Sequence, residues 1–228
     1  AVGARVPKTD GRRKVDGTEL FGADQAPDDA LWLRAVRSPH WSATFSIGHL
    51  APLFDKYPGL VKIITAADVP AVNGFGAYPT VKDQPILADG EVRFRGEAVL
   101  ALIGDQASVN SIRDEDVPID YQVRPHVHGL DQAMAEGAPI VHAGQDDNVM
   151  SRGWVKKGDA DAALAAADIV VEGSFETTFV EHAYIEPEAG WARRVGDRLE
   201  IAATTQAPHM DRDELANILG ISNDSVHV

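Results

Sequence analysis

Within TTFVEHAYIEPEAG (177–190), Glu181, His182, Glu186 and Glu188 fall inside eight residues. An imidazole among carboxylates could hold a metal, move protons, or form one wall of a site whose chemistry is supplied elsewhere. His182 and Glu186 are four positions apart, a spacing that puts two ligands on one face of a helix. Pro187 and the β-type alternation before the stretch argue against a helix there. In an extended chain the same two residues lie roughly 13 Å apart at about 3.3 Å per residue, too far for one ion. An acid/base role needs a group tuned by burial and within reach of a substrate. The plainer reading is a strand end whose carboxylates accept backbone N–H bonds or pair with Arg193 and Arg194. On residue types alone that plainer reading is preferred.

Other candidates are weaker. GFG (74–76) lacks the G-x-x-x-x-G-K pattern of a phosphate loop. His126 and His128 have no third ligand beside them and read as surface. Ser38 and Ser42 flank His40 without the elbow motif of a serine nucleophile. Trp32, Trp41, Phe45, Phe54, Tyr57, Phe75 and Tyr78 cluster in the first third, as core or interface.

The elements that must position these groups follow from periodicity. Residues 1–18 form a polar, basic arm, which needs another surface to hold it. LWLRAVRS (31–38) reads as a strand, FSIGHLAPLFDKYPGL (45–60) as mixed helical spacing broken by Pro52 and Pro58, and VKIIT (61–65) as a short buried strand. The Gly- and Pro-containing stretch 72–90 is a long loop, of the kind that is usually functional. VRFRG and EAVLALIGD (92–105) are two strands bent at Gly96. A helix is expected over 106–115, a strand with edge character at Pro118 over 117–123, and a short helix over 130–135.

Beyond about residue 146, DADAALAAAD reads as a helix capped by Asp159 or Asp161. IVVEGSFETTFV (169–180) alternates as a strand. GWARRV and RLEIAATTQ form a hairpin about Gly196-Asp197, and MDRDELANILG is a helix closed by Gly220. The fold class is therefore α+β. The expected divisions are an arm (1–12), a first domain (13–130), a linker (131–146) and the first part of a second domain (147–228).

The 228 residues have a formal net charge of −14, 44% hydrophobic and 25% charged residues, and no cysteine. That length fits two modest domains. The acidity argues against nucleic acid, which is held by Lys and Arg on phosphates, and against anionic membranes. Without cysteine there is no disulfide, thiolate metal site or Cys-ligated iron–sulfur cluster. No apolar run approaches membrane-spanning length and no signal-like h-region follows the basic N-terminus.

Taken in order, PKTDGRRKVDGTELFGAD, RAVRSPHWSA, PGLVKIITAADVP, DQPILADGEVRFRGEAVLALIGD and VPIDYQVRPHV resemble the a/b-hammerhead domain of the xanthine dehydrogenase and aldehyde oxidase family. KKGDADAALAAADIVVEGSFETTFVEHAYIEPEA and TTQAPHMDRDELANILGI resemble the start of that family's molybdopterin-binding domain. The resemblance runs from about Val6 to Val228.

It implies part of the molybdenum-bearing subunit of a molybdenum hydroxylase. Such enzymes oxidise aldehydes or aromatic N-heterocycles with water-derived oxygen at a molybdenum held by a pterin dithiolene. Electrons leave through [2Fe–2S] clusters and FAD on partners. The implied partners are the remaining molybdenum-subunit segment or chain, an iron–sulfur subunit, an FAD subunit and a small organic substrate. The implied compartment is the cytoplasm, with the periplasm left open.

The family's GGGFG segment and late catalytic Glu are not in this sequence, so the resemblance places no catalytic residue in this chain. Family members of the xanthine dehydrogenase type have a Gln before the Glu-His pair, bonded to a molybdenum oxygen ligand; here that position is Val180. Losing such a bond costs about 1–3 kcal/mol if the oxygen stays unpaired. Val180 is thus expected near the molybdenum, and Glu181, His182 and Glu186 as supports behind it. Two other readings stand beside this one: a non-catalytic assembly subunit of the same fold, and a free-standing acidic binding module.

Overall fold

The computed structural model describes residues 2–228 apart from Ala77, Pro79, Thr80, Ile185 and Pro187, and apart from the side chain of Ala23. Ile185 and Pro187 of the acidic stretch, and three positions of the expected 72–90 loop, thus lie outside the described residues. In chain order the elements are α1 (Gly11–Asp16), β1 (Trp32–Arg37), β2 (Ala43–Ile47), α2 (Ala51–Lys56), β3 (Leu60–Ile64), β4 (Glu91–Val92), β5 (Ala98–Gly104) and α3 (Gln106–Ser111). They continue with β6 (Ile119–Val123), α4 (Leu130–Met134), α5 (Ala160–Ala165), β7 (Gly190–Val195), β8 (Arg198–Ala203), α6 (Pro208–Leu219) and β9 (Val226–His227). The mixture is α+β, as read from the sequence. It divides into two units, Ala1–His126 with Glu186–Val228, and Val127–Ile185.

In the first unit, β5 lies between β1 and β3 and is antiparallel to both. Its run AVLALIG is apolar on both faces because both faces are covered. Leu100 and Leu102 point into a cluster with Val36, Leu53, Leu60, Val109, Ile112 and Val117. Val99 enters a second cluster with Ala43, Ala88 and Val92. Ile47 and Ile119, from the second sheet (β4-β2-β6), pack against both clusters. Gly104 closes β5 where only glycine fits, since a Cβ there would stand 2.2 Å from the Gly59 carbonyl oxygen.

Several elements differ from expectation for identifiable reasons. Residues 43–47 form β2, a strand hidden in the sequence by the helical spacing that follows it. The helix α2 begins only at Ala51, with proline in its first turn. Of the expected 92–96 strand only Val92 is paired; Arg93 to Gly96 make a turn. There the buried Glu97 carboxylate accepts the Arg93 N–H at 2.5 Å and faces its guanidinium at 3.4 Å. Gly96, at φ 98°, supplies the left-handed residue of that turn. Helix α3 stops at Ser111 rather than Glu115. Arg34 of β1 reaches its end, donating to the Val109 and Ile112 carbonyls and to Asp114. A guanidinium there satisfies carbonyls that a longer helix would have used.

The third sheet, β7-β8-β9, belongs to the same unit. Its hairpin turns at Gly196, φ 60°, and α6 ends at Gly220, φ 66°, both as the sequence predicts. Part of the long loop is pinned by Asn73, whose amide bonds the backbone of Ile86 and Leu87. Lys82 pairs with Glu214 of α6.

The second unit contains α4 and α5, the latter capped by Asp159, which accepts from the Ala162 N–H. Residues 169–180, expected as a strand, pair with nothing among the described residues. Their alternation is strand-like, but a strand needs a neighbour for its backbone groups, and this unit offers none.

Two outcomes test the core. Glu97→Ala leaves a buried N–H and a guanidinium short of their acceptor, and lowers unfolding stability by about 3 kcal/mol in urea titrations. A loss below about 1 kcal/mol would show the turn to be held otherwise. Asp116 accepts from Arg113 and Tyr57 and pairs with Lys56. Arg113 first, then Tyr57 and Lys56, hold its carboxyl far below the ordinary range. The folded state therefore binds fewer protons here than the unfolded chain. This contribution is complete above the unfolded carboxyl value and is lost as pH falls toward the folded one. Asp116→Asn flattens the fall of the thermal midpoint between about pH 5 and about pH 2.

Candidate functional site

The sequence-predicted site residues do not form one constellation. Val180, at 72% exposure, and the exposed Glu181 and His182 sit on an irregular, open run of the second unit. Ala183 follows at φ 51°, a left-handed conformation that a non-glycine residue adopts at a cost of about 1–2 kcal/mol. The chain thus turns sharply just after His182.

Glu186 belongs to the first unit. There its Oε1 accepts from the Gly22 N–H and from the Thr204 hydroxyl, both at 3.4 Å. It lines a cleft of about 400 Å³ with Lys14, Glu19, Phe21, Ile201 and Thr205. The Lys14 ammonium pKa is raised above its usual range, chiefly by Asp10 and to a smaller degree by Glu19 and then Glu186. Glu188 is exposed. Arg193, offered by the sequence as a partner for these carboxylates, pairs with Glu200 across the hairpin at 2.6 Å and lies over the Trp191 ring.

Among the described residues no three His, Asp or Glu side chains converge on a point where a metal ion could be held. The run sets an apolar Val180 beside an acceptor, Glu181, and an imidazole, His182, on exposed backbone. Such a run can flank a bulky group and bond to its edge.

Sequence reasoning missed the partners of Glu186, which lie 164 and 18 residues away. One signal was available. Gly22 in ELFGAD is a close-approach position, where a Cβ would stand 3.1 Å from the Ala189 carbonyl. It missed the stacking of His126 on Trp41 and the edge contact of His40 with Tyr121 as well. The Ser38 hydroxyl bonds the backbone of His40. Among the described residues no helix is long and apolar enough to cross a membrane.

Comparison with known proteins gives these observations a context. A model of the aldehyde oxidase and xanthine dehydrogenase a/b hammerhead domain matches residues 17–125, and one of the molybdopterin cofactor-binding domain matches residues 141–228. The chain is 30% identical, over its whole length, to the nicotinate dehydrogenase large molybdopterin subunit of Eubacterium barkeri, and covers 52% of that protein. Over 97% of its length it is 27% identical to a probable xanthine dehydrogenase subunit of Bacillus subtilis, covering 29% of it. The solved aldehyde oxidoreductase from Desulfovibrio gigas superposes on 98% of the chain with a TM-score of 0.86 at 27% identity, the chain covering 26% of that structure. The chain therefore spans about half the length of the first relative and under a third of the others.

The two kinds of position should separate in stability measurements. Glu186→Ala removes acceptors from Gly22 and Thr204 and lowers unfolding stability by about 1 kcal/mol. Val180→Ala, Glu181→Ala and His182→Ala leave the urea midpoint of the chain unchanged, because exposed side chains contribute little to it. A drop at all four positions would mean that the open run is packed in solution.

Proposed function

We propose, from the premise that this chain belongs to the aldehyde oxidase and xanthine dehydrogenase family, that it supplies part of the molybdenum-bearing subunit of a molybdenum hydroxylase. The reading rests on one observation above others. The hammerhead match at 17–125 and the cofactor-domain match at 141–228 follow one another in the chain, and the Val180-Glu181-His182 run lies inside the second. The domain organisation that goes with it is an arm over 1–12, a hammerhead domain over 13–130, a linker over 131–146 and the first part of the cofactor domain over 147–228.

In this reading the substrate is an aldehyde or an aromatic N-heterocycle, and the oxygen inserted into it derives from water. The molybdenum–pterin group supplies the two-electron redox chemistry when bound. The chain's own residues bound and orient. Val180 would lie near the metal and shape the pocket without donating a side-chain hydrogen bond. Glu181 and His182 would bond to groups brought against the run and support it from behind, and Glu186 is held separately by Gly22 and Thr204. Electrons pass to [2Fe–2S] and FAD groups on partner subunits in the cytoplasm, a division of labour that the absence of cysteine supports.

Metal and pterin analysis of the intact assembly tests the proposal. About one molybdenum per copy of the chain is expected, with a pterin in equal amount. An active, complete assembly without molybdenum would overturn it. Val180→Phe in the same assembly is expected to cut kcat/KM about tenfold or more, since a bulky side chain displaces a positioned substrate. Unchanged turnover and substrate range would instead favour a non-catalytic assembly role.

A further inference from the structure

Helix α6 turns a polar face toward Lys82 of the long loop. Met210, Glu214 and Asn217 are spaced i, i+4, i+7 on that face, with Asp213 beside them. With Lys82 and Asn223 they line an open cleft of about 540 Å³ in the first unit, a volume in the range of small-molecule sites. The charges on its wall are compensated. Lys82 is paired with Glu214, and Asp213 accepts from the Arg212 guanidinium and the Asn223 amide. A wall whose charges are spent on one another favours a neutral polar molecule over an ion. One group is left over. Glu214 meets Lys82 through Oε1, while its Oε2 is buried and has no hydrogen-bond partner among the described residues. A buried carboxylate oxygen is costly until a donor reaches it. The Lys82 ammonium, which has further N–H donors, stands immediately beside that acceptor.

We propose that this cleft binds a small cyclic amide, a flat heterocycle whose ring carries an N–H next to a C=O. Such an edge presents one donor and one acceptor side by side. The ring N–H donates to Glu214 Oε2, and the C=O accepts from the Lys82 ammonium or from the Asn217 amide one turn further along α6. Met210, one turn before Glu214, offers a thioether to the face of the ring. An aldehyde has an acceptor only and leaves Glu214 Oε2 unpaired. A polyol has donors but no flat apolar face for Met210. The source of the ligand rests on the hydroxylation proposed above. There, oxygen from water replaces the hydrogen on a carbon next to a ring nitrogen. Two electrons leave to the molybdenum–pterin group and two protons to solvent, and the new hydroxyl passes its proton to the ring nitrogen, which gives a cyclic amide. The cleft thus selects the aromatic N-heterocycle over the aldehyde as substrate class, and is a site for the hydroxylated product.

Calorimetric titration of the 228-residue chain, without molybdenum, tests the proposal with 2-pyridone, N-methyl-2-pyridone, benzaldehyde and glycerol as probes. 2-Pyridone is expected to bind, with backbone NMR shifts along 209–217 and at Lys82. N-methyl-2-pyridone, which lacks the N–H, is expected to bind about tenfold or more weakly, as are benzaldehyde and glycerol. Glu214→Gln keeps the shape but makes the acceptor neutral. It is expected to weaken 2-pyridone about tenfold and to leave N-methyl-2-pyridone unchanged, with the thermal midpoint as a check on folding. The comparison of the two pyridones needs no variant and holds whatever Glu214→Gln does to the fold. Equal affinity for the two pyridones would overturn the proposal, as would glycerol binding as tightly as 2-pyridone. So would the absence of any heat with 2-pyridone at about 10 mM, which would leave the cleft to water. Molybdenum content of the intact assembly is read separately. An assembly without molybdenum overturns the cofactor reading alone, and a molybdenum-bearing one whose chain ignores 2-pyridone overturns this proposal alone.

Discussion

A central strand has to satisfy two backbone edges and two side-chain faces at once, and in the first unit that strand is β5. Its N–H and C=O groups are taken up by β1 on one side and β3 on the other. Its side chains divide between the two apolar clusters, Leu100 and Leu102 on one face and Val99 on the other. Buried backbone groups left unpaired would each cost about as much as a lost hydrogen bond, so this strand can exist only with both neighbours in place. The rest of the unit follows. Arg34 on β1 reaches across to the end of α3, and the Glu97 turn, bonded to Ser38 at the end of β1, starts β5 in register. Val117 and Ile119 bring the β6 region onto the same core.

The same rule, applied to residues 169–180, gives the opposite result. Their side-chain pattern is as strand-like as that of β5, and their β-branched and aromatic content is high. The difference is that β5 has neighbours and this run has none among the described residues. Strand propensity measures how well a residue fits a pleated, half-buried surface, and it has no effect until that surface exists. Two strand-like runs in one sequence thus have different outcomes, decided by partners rather than by local preference.

This marks where the sequence was legible. Elements whose signals are self-contained came through: β5 as an apolar run, α5 with Asp159 at its cap, the Gly196 turn, and α6 stopping at Gly220. Elements defined by long-range pairing did not. The strand β2 is set by five positions opposite β6, some 75 residues later in the chain, and its short alternation merges into the helical spacing of α2. The turn at 93–96 depends on a buried carboxylate, and nothing in RFRGEAV marks Glu97 as inside. The candidate site was half legible for the same reason. Its residue types stand out, but Glu186 owes its place to Gly22 and Thr204, contacts that no spacing reveals.

Glu186 also separates two ways in which one acidic stretch can be held. A carboxylate that accepts from a backbone N–H and a hydroxyl is fixed by the unit around it, and its removal is felt there. Glu181 and His182, five and four positions earlier, are exposed and have no such anchors within their own unit. Exposed side chains without partners in their own unit are not pre-organised by it, whereas Glu186 is held at a fixed point by a backbone N–H and a hydroxyl.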